Sequence, residues 1–366
     1  MTDNQIFKTE DAAACGATLR PLARVQTYPS MMPQFANVEQ LKGHWKSRTE
    51  AILKRDIARL PSAFLATMRN AVVFQNGFVR SEQGIIVQET IVGARDVTPP
   101  QEDRVVRHEP RPTALLRKAG DSDFAHWLAE LLPRVREFRA MFPQQAIQFA
   151  VPASPADMRP MRQRTLEWLG VRDDEILWLG SEPTRFDLLH FITVNSIHSH
   201  THDFTGLRHV SAQARAKVPH GKAHRRLYIS RDGATKRRLL NEPDIVSQLT
   251  KRNFTIVAPQ SMSIDEQVAL FAEAEMVVGT TDATMANILW APEHCEVVAL
   301  SPDHGHEFFF WDMAGIRDQT FSFLFGDSAD PSQLGNADFT ADPALLCRIV
   351  DAALARIARR QGKQPA

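Results

Sequence analysis

The sequence predicts an α/β protein with two domains, and three observations lead to this prediction. The chain has 366 residues, enough for two hydrophobic cores of ordinary size. Its 43% apolar and 23% charged residues are typical of a globular protein rather than a disordered one. In the second half, short apolar runs alternate with segments of helical periodicity. Such alternation with tight connections indicates a parallel sheet.

The first half of the chain alternates less regularly. Short apolar runs over residues 71–92 are separated by Asn76-Gly77 and Gln83-Gly84, which are typical of β-hairpin turns. Further strands are predicted over 113–116, 146–151, 175–179 and 187–194. The spacing of apolar residues predicts helices over 38–58, 124–141 and 155–169. Pro133 inside the second of these predicts a kink or a break.

The second half repeats the pattern of strand, helix and strand more clearly. Strands are predicted over 226–230, 254–258, 276–279 and 297–300. Helices are predicted over 241–252, 263–274, 283–289 and 343–359, and Ser263 with Glu266 forms a capping box at the start of the second. The predicted division is a first domain with its lead-in over residues 1–218, a second domain over 219–340, and a C-terminal helix over 341–366.

Charge and cysteine content argue against several classes of protein. Lys plus Arg and Asp plus Glu both number 43, so the chain lacks the basic surplus that binding to nucleic acid needs. Cys15, Cys295 and Cys347 have no metal-ligand spacing and fit a reducing compartment. The N-terminus has no apolar signal region, and no stretch approaches the ~18 apolar residues of a membrane span. We therefore expect a cytoplasmic protein without a transmembrane segment.

A cationic loop follows the strand predicted over 226–230. Ser230 ends this strand, and Arg231, Lys236, Arg237 and Arg238 come directly after it. Ligands of open α/β sheets bind outside the carboxyl ends of strands. The planar guanidinium of arginine makes bidentate hydrogen bonds to phosphate oxygens. The loop therefore predicts a diphosphate site, and a solvated basic surface before a helix is the alternative interpretation.

A second candidate segment covers residues 276–292. Its strand ends at Gly279 and its helix begins within three or four residues, so that the free N–H groups of the helix could bind phosphate. Thr280 and Thr281 carry hydroxyls that could bond a phosphate or cap the helix. Simple capping of a structural helix is the alternative interpretation.

A third segment, residues 124–134, contains His126 and Glu130. These residues are four apart and share one helix face. A carboxylate that fixes the tautomer of an imidazole makes a plausible acid/base pair. His126 is the favoured base, because an unperturbed histidine titrates near ~6.5. Glu130 as the base, and an ordinary structural pair, are the alternatives.

In their order and spacing, these segments resemble glycosyltransferase family 61, many of whose bacterial members are capsular polysaccharide biosynthesis proteins. The resemblance covers roughly residues 70–325. The matching residues are Phe124, His126, Trp127, Glu130, Leu132, Pro133, Arg134, Ser230, Arg231, Ala234, Arg237, Arg238, Asn241, Glu242, Ser263, Glu266, Gln267, Leu270, Phe271, Ala274, Gly279, Ala283 and Asn287. Thr281-Asp282 replaces the His-Gly of the family pattern. Asp282 could cap the helix or repel a donor diphosphate.

The resemblance implies a GT-B-like α/β fold, in which two Rossmann-like domains face each other across a cleft. It implies an inverting transfer of sugar from a nucleotide-sugar donor to a glycan acceptor, in surface polysaccharide biosynthesis. The implied catalytic residues are His126 and Glu130. The implied donor-binding residues are Ser230, Arg231, Arg237, Arg238, Gly279, Ala283 and Asn287. Thr280 and Thr281 join this predicted set through their own hydroxyls and not through the resemblance. No metal or other cofactor is expected, because GT-B enzymes stabilise the departing diphosphate with cationic groups. The resemblance is also compatible with a peripheral contact between the protein and a membrane-linked acceptor.

Other patterns and functions remain as alternatives. Asp121-Ser122-Asp123 has the D-x-D form of a metal site, and His198, His200 and His202 would share one face of a strand. A metal site is disfavoured for the first pattern, because it lies just before a helix outside a GT-A context. A polar connecting segment is favoured for the second. A non-catalytic glycan- or protein-binding member is an alternative function, motivated by Thr281-Asp282. A sugar-nucleotide epimerase or hydrolase on the same fold is another.

Overall fold

The computed structural model describes residues 14–362, apart from 24–25, 55, 61, 75–76, 88–89, 91–106, 144–145, 194–195, 198–200 and 306–307. The chain divides into two compact units. Unit 1 comprises Met1–Thr27 and Arg59–Gln213, and unit 2 comprises Tyr28–Ala58 and Ala214–Ala366. Both units combine sheets with helices, so the predicted α/β class is confirmed.

The strands, β1 to β19 in chain order, are Ala17–Ala23, Gln26–Pro29, Gln34–Phe35, Ile57–Leu60, Ala63–Val73, Val79–Arg80, Arg107–Glu109, Thr113–Leu115, Gln148–Pro152, Ile176–Leu179, Thr184–Ile192, Ser196–Ile197, Thr201–His202, Arg225–Ile229, Phe254–Val257, Ala274–Thr280, Glu296–Pro302, Thr320–Ser328 and Phe339–Thr340. The α-helices, α1 to α9, are His44–Leu53, Phe124–His126, Arg134–Met141, Arg159–Trp168, Phe204–Lys217, Glu242–Thr250, Ile264–Ala272, Phe309–Ile316 and Pro343–Arg360. A π-helical turn covers Trp127–Leu131, and 3-10 helices cover Val38–Gln40, Ala156–Met158, Asp173–Glu175, Pro259–Ser261, Ala283–Trp290 and Pro331–Asn336. Within the described part of the chain, no helix combines the length and the apolar character that a membrane crossing requires.

Unit 1 is built on an eight-stranded sheet whose main order is β1-β5-β11-β8-β9-β10. Strands β11, β8, β9 and β10 run parallel to one another, whereas β1 and β5 are antiparallel neighbours. The sequence predicts a Rossmann-like domain here. The antiparallel pairing of β5 with both β1 and β11 differs from that expectation. The strands of a Rossmann-like domain pair in parallel, and parallel neighbours need helical crossovers.

Unit 2 contains a parallel sheet with the order β15-β14-β16-β17-β18. Numbered along the chain, these strands run 2-1-3-4-5, a doubly wound order that reverses between β14 and β16. The strands predicted between 226 and 300 are all present. Ser263 and Glu266 form the predicted capping box at the start of α7. One face of α9 packs against this sheet through residues that include Leu346 and Val350.

Residues 28–58 belong to unit 2, whereas the sequence-based division placed all of residues 1–218 in the first domain. The reason is a set of contacts with β18. Strand β3 pairs with β18 in parallel, and the ring of Phe35 stacks on that of Phe323 at 5.5 Å between centroids. The side chain of Asn37 exchanges two hydrogen bonds with the backbone of Phe325. Such long-range pairing leaves no local pattern in the sequence.

Candidate functional site

The helix predicted over 124–141 is broken in the structure. Asp123 caps its start, since its carboxylate accepts hydrogen bonds from the backbone N–H groups of Ala125 and His126 at 2.8 and 3.1 Å. A π-helical turn follows, closed by a 2.9 Å hydrogen bond from Leu132 N to the carbonyl of Trp127. Pro133, which has no N–H, then begins α3 as its N-cap. The predicted break at Pro133 is confirmed, and π-helical turns are frequent at functional sites.

Glu130 lies at the centre of a charged cluster formed by His126, Glu130 and Lys118. The Glu130 side chain is 1% exposed, and its Oε2 lies 3.0 Å from Nδ1 of His126. The Lys118 ammonium donates a hydrogen bond to the same oxygen. The shared helix face of His126 and Glu130 was predicted, but Lys118 was not. Its only signal in the sequence is its position just after the strand predicted over 113–116.

The cluster holds the imidazole of His126 by one nitrogen. Since Nδ1 faces Glu130, Nε2 is the nitrogen on the other side of the ring. The His126 side chain is 23% exposed. Gly120 adopts a φ of +82°, and a Cβ at this position would lie 3.6 Å from Cδ2 and 3.9 Å from Nε2 of His126. At position 120, glycine therefore places no side chain against the His126 ring.

Arg134 binds the backbone of the residue at the centre of the cluster. Its Nε donates a 2.9 Å hydrogen bond to the backbone carbonyl of Glu130. Burial lowers the pKa of Arg134 to about 10, although the negative charge of Glu130 acts in the opposite direction. The arginine of the Leu-Pro-Arg segment therefore fixes the backbone that carries Glu130.

Both carboxylates of the D-x-D pattern have partners within the protein. Asp121 accepts a 2.9 Å hydrogen bond from Nε of Arg117, and both side chains are largely buried. Burial raises the pKa of Asp121, against the opposing effect of Arg117. Asp123 caps the helix. His202 is buried in β13, and His198 and His200 lie outside the described residues. Across the residues that the structure describes, no group of three or more His, Cys, Asp or Glu side chains could hold a metal ion.

In unit 2, the cationic loop meets the second predicted segment at the carboxyl ends of β14 and β16. Nη1 of Arg231 lies 3.3 Å from Oδ2 of Asp282. Nη1 of Arg237 donates a 2.7 Å hydrogen bond to the carbonyl of Thr281. This meeting point is also where the strand order reverses, which is where open α/β sheets bind their ligands.

Glu242 holds the start of the cationic loop. Its Oε1 accepts hydrogen bonds from Arg231 N at 2.8 Å and from the hydroxyl of Tyr228 at 3.0 Å. Burial and the neighbouring Glu242 carboxylate raise the pKa of Tyr228. The Oγ of Ser230 accepts a hydrogen bond from Asp232 N at 3.1 Å. Arg237 adopts a φ of +52°, in the left-handed region. These contacts fix the loop near its arginines.

Asp282 caps the 3-10 helix Ala283–Trp290, which is the first of the two roles considered for it. Its Oδ1 accepts a 2.8 Å hydrogen bond from Thr284 N, and its Oδ2 accepts one from the Thr280 hydroxyl at 2.6 Å. The Thr281 hydroxyl donates to Oγ of Ser301 at 3.2 Å. Both threonine hydroxyls are therefore engaged inside the protein, and the Asp282 carboxylate lies at the N-terminus where a phosphate was predicted.

The remaining predicted residues of this segment support the turn. A Cβ at Gly279 would lie 3.1 Å from both Ile229 Cβ and Met285 Cε, so glycine permits close packing there. Ala283 is the first residue of the 3-10 helix, and the buried amide of Asn287 bonds within that helix to Thr284 and Trp290. Donor binding by these residues stays a prediction.

Arg238 differs from Arg231 in its surroundings. Its side chain is 57% exposed and binds Asp338 through Nε at 2.8 Å, while its backbone N–H donates to the other carboxylate oxygen at 2.8 Å. The hydrogen bond from Arg238 lowers the pKa of Asp338. Arg238 therefore lies in a surface ion pair.

The next strand end along the same edge contributes a pair that the sequence reasoning missed. Asp303 follows β17, and its Oδ1 lies 2.8 Å from Nδ1 of His304. Burial would raise the pKa of Asp303, but hydrogen bonds from Ser328 and His304 outweigh it and lower the pKa. The signal was available, because both residues come just after the strand predicted over 297–300.

Comparison with known proteins confirms the resemblance drawn from the sequence. Residues 124–298 match the sequence profile of the family Glycosyltransferase 61. No curated protein sequence matches the chain. Among solved structures, the chain is similar to the iron-containing dodecameric glycosyltransferase TibC from enterotoxigenic E. coli H10407. The sequence identity is 10%, the match covers 82% of this chain and 94% of that chain, and the TM-score is 0.35.

Proposed function

Since residues 124–298 carry the pattern of glycosyltransferase family 61, we propose that this protein moves a sugar from a nucleotide-sugar donor to a glycan acceptor with inversion. The observation that supports the proposal most is the convergence of Arg231 and Arg237 on Thr281 and Asp282. Two arginines at the reversal of a doubly wound sheet have the charge and position that a diphosphate needs.

We propose that the donor diphosphate replaces the Asp282 carboxylate as the partner of the Arg231 guanidinium. In the structure this arginine is paired with Asp282 at 3.3 Å. A diphosphate offers several oxygens to one guanidinium, so it competes well with a single carboxylate. On binding, Arg231 turns from Asp282 to the phosphate oxygens, while Arg237 stays anchored on the backbone of Thr281. The arginines then stabilise the charge that develops on the leaving diphosphate.

His126 is the proposed general base, with Glu130 as its positioning residue. Glu130 is 1% exposed against 23% for His126, so an acceptor reaches the imidazole more easily than the carboxylate. Nδ1–H of His126 donates to Glu130, and Nε2 takes the proton of the acceptor hydroxyl. The acceptor oxygen forms its bond to the anomeric carbon as the bond from that carbon to the diphosphate breaks. Lys118 keeps the charge of Glu130 compensated while the imidazolium exists.

The proposal includes the GT-B arrangement of two domains, a cytoplasmic location and a role in surface polysaccharide biosynthesis. It also includes turnover without a metal ion. The physical argument for the last point is that Arg231 and Arg237 supply the positive charge that a divalent cation supplies in other transferases.

One observation favours a second candidate function, a non-catalytic member that binds glycan or protein. Asp282 places a carboxylate at the N-terminus of the 3-10 helix and pairs with Arg231, so two groups that could hold a phosphate already have a partner. An epimerase or hydrolase that acts on the same donor is a third candidate.

A thermal-shift panel of nucleotides and nucleotide sugars tests the proposal, followed by a transfer assay with oligosaccharide acceptors. A donor at 100 times its Kd stabilises the folded protein by about 2.7 kcal/mol, which gives a clear rise in Tm. We expect one nucleotide class to give this rise, and a product with inverted anomeric configuration by NMR. Binding without turnover would favour the non-catalytic candidate. Free sugar or an altered donor without acceptor would favour the hydrolase or epimerase.

A further inference from the structure

One face of the unit 1 sheet is polar where β1, β5 and β11 lie side by side. Thr18 of β1 is opposite Thr67 of β5, and Thr67 is opposite His190 of β11. In the neighbouring rows, Arg20 lies opposite Leu65, and Arg69 lies opposite Leu188. Residues two apart on a strand share a face, so this stretch of the sheet presents hydroxyls and two guanidinium groups together with the side chains of Leu65 and Leu188.

This polar face forms the floor of a cavity of about 460 Å³. The ring of Phe142, just after α3, forms one wall, and Glu82 and Gln83 of the turn after β6 form another. A Cβ at Gly16 would lie 3.2 Å from Nε2 of Gln83, which shows how closely this turn lies on β1. The volume is in the range of small-ligand sites.

The floor of the cavity is held by buried contacts. The hydroxyl of Thr67 lies 2.9 Å from Nδ1 of His190, and the rings of His190 and Phe142 are 4.6 Å apart. His190 is only 4% exposed. Burial lowers its pKa to about 4, so its imidazole is neutral at physiological pH and adds no charge to the cavity. Among the lining residues that the structure describes, the cationic side chains are those of Arg20 and Arg69.

The lining has the chemistry that saccharides require. Hydroxyl, amide and guanidinium groups offer hydrogen bonds to sugar hydroxyls, and Phe142 offers an aromatic edge to the C–H groups of a sugar ring. Within the described lining, the charges are unequal, since two arginines accompany one carboxylate, that of Glu82. That carboxylate already accepts a 3.0 Å hydrogen bond from the amide of Asn70. A ligand with a negative charge complements this surplus.

We propose that this cavity binds a carboxylate-bearing sugar of the acceptor glycan, at a subsite separate from the His126 cluster. The role as an acceptor subsite rests on the proposed glycosyl transfer, whereas binding of an acidic saccharide to the cavity can be measured independently of it. Arg20 and Arg69 would bind the carboxylate, because the guanidinium fork matches its two oxygens. The threonine hydroxyls and Gln83 would bind ring hydroxyls. The enzyme would thus select acceptors that contain uronic acid residues.

Calorimetry with the full-length protein tests this site without a donor. The probes are a tetrasaccharide of uronic acid residues and a neutral tetrasaccharide of the same length. The Arg20→Ala/Arg69→Ala variant should bind the acidic probe roughly 10- to 100-fold more weakly than the wild type. Arg185→Ala, an exposed arginine of unit 1 outside the cavity lining, should bind as the wild type does. The Arg20→Lys/Arg69→Lys variant should be intermediate, since it keeps the charge and loses the fork.

Three results would overturn the site: no binding of the acidic probe to the wild type, equal affinity for the two probes, or full affinity in the double alanine variant. Both arginines are exposed, and circular dichroism with an unchanged Tm checks that the variants fold. Failure of the proposed function would look different. The nucleotide-sugar panel would then give no rise in Tm, while the acidic probe still bound through Arg20 and Arg69.

Discussion

The charged cluster of unit 1 and the cationic loop of unit 2 use their charges in different ways. In the cluster, the buried Glu130 binds both Nδ1 of His126 and the ammonium of Lys118. In the loop, Arg231 and Arg238 are paired with the carboxylates of Asp282 and Asp338. Under the proposed function, this difference means that the acid/base pair is preorganised, whereas the proposed anion site exchanges an internal partner for its ligand.

Replacing Glu130 should give the largest effect among the supporting residues. Glu130→Gln removes the charge that orients His126 and stabilises its protonated form, so kcat should fall by roughly 10²-fold. Affinity for the nucleotide should stay unchanged, because Glu130 is a positioning residue of the base. Glu137→Gln on the same stretch of chain is the matched control, since Glu137 pairs with Arg136 outside the cluster. Unchanged turnover in Glu130→Gln would remove the carboxylate from the mechanism.

Replacing Arg231 and replacing Arg238 should lower nucleotide affinity to different extents. Arg231→Ala should weaken nucleotide affinity by roughly 10- to 100-fold, because a charge-assisted bond to the diphosphate is lost. Arg238→Ala should have the smaller effect, since Arg238 lies in an exposed ion pair with Asp338. Isothermal titration with the nucleotide found in the panel measures both. Equal affinities for the wild type and both variants would show that the loop is not the diphosphate site.

Replacing Asp282 should raise nucleotide affinity, whereas replacing Arg231 should lower it. Asp282→Asn keeps a side-chain oxygen that can cap the 3-10 helix, but it removes the negative charge beside Arg231. We expect a gain in nucleotide affinity of about three- to tenfold, larger at low ionic strength. The same titration at two salt concentrations measures the gain. A loss of affinity instead would indicate that Asp282 binds the donor itself.

Removal of metal ions by chelation should have the smallest effect on turnover. Turnover should survive treatment with EDTA, because arginines rather than carboxylate-bound metal are proposed to stabilise the diphosphate. The measurement is the initial rate before and after dialysis against EDTA. A loss that manganese or magnesium restores would reject this part of the account and return attention to Asp121 and Asp123.

The parts that the sequence predicted best are those with a local signal. The strands and helices between 226 and 300 follow from apolar periodicity and capping residues. The rule that ligands lie at strand ends selected the cationic loop and residues 276–292, but the ion pair of Arg231 with Asp282 was not predicted. Strand β18 was missed, although Phe321, Phe323 and Phe325 recur at the two-residue period of a strand. Lys118 and Asp338 were missed for a different reason. Side-chain pairs such as Arg238 with Asp338, 100 residues apart, depend on tertiary contacts that no local pattern encodes.

The most direct test of the account is a paired measurement on His126→Ala, with the wild type assayed alongside. Loss of a general base should lower kcat by roughly 10²- to 10⁴-fold, while the Kd for the nucleotide sugar stays within about twofold. This split is predicted because His126 is proposed to act on the acceptor proton, and the arginines of unit 2 are proposed to bind the donor. Retained turnover in His126→Ala would contradict the assignment of the base, and a large loss of donor affinity would move His126 into the donor site.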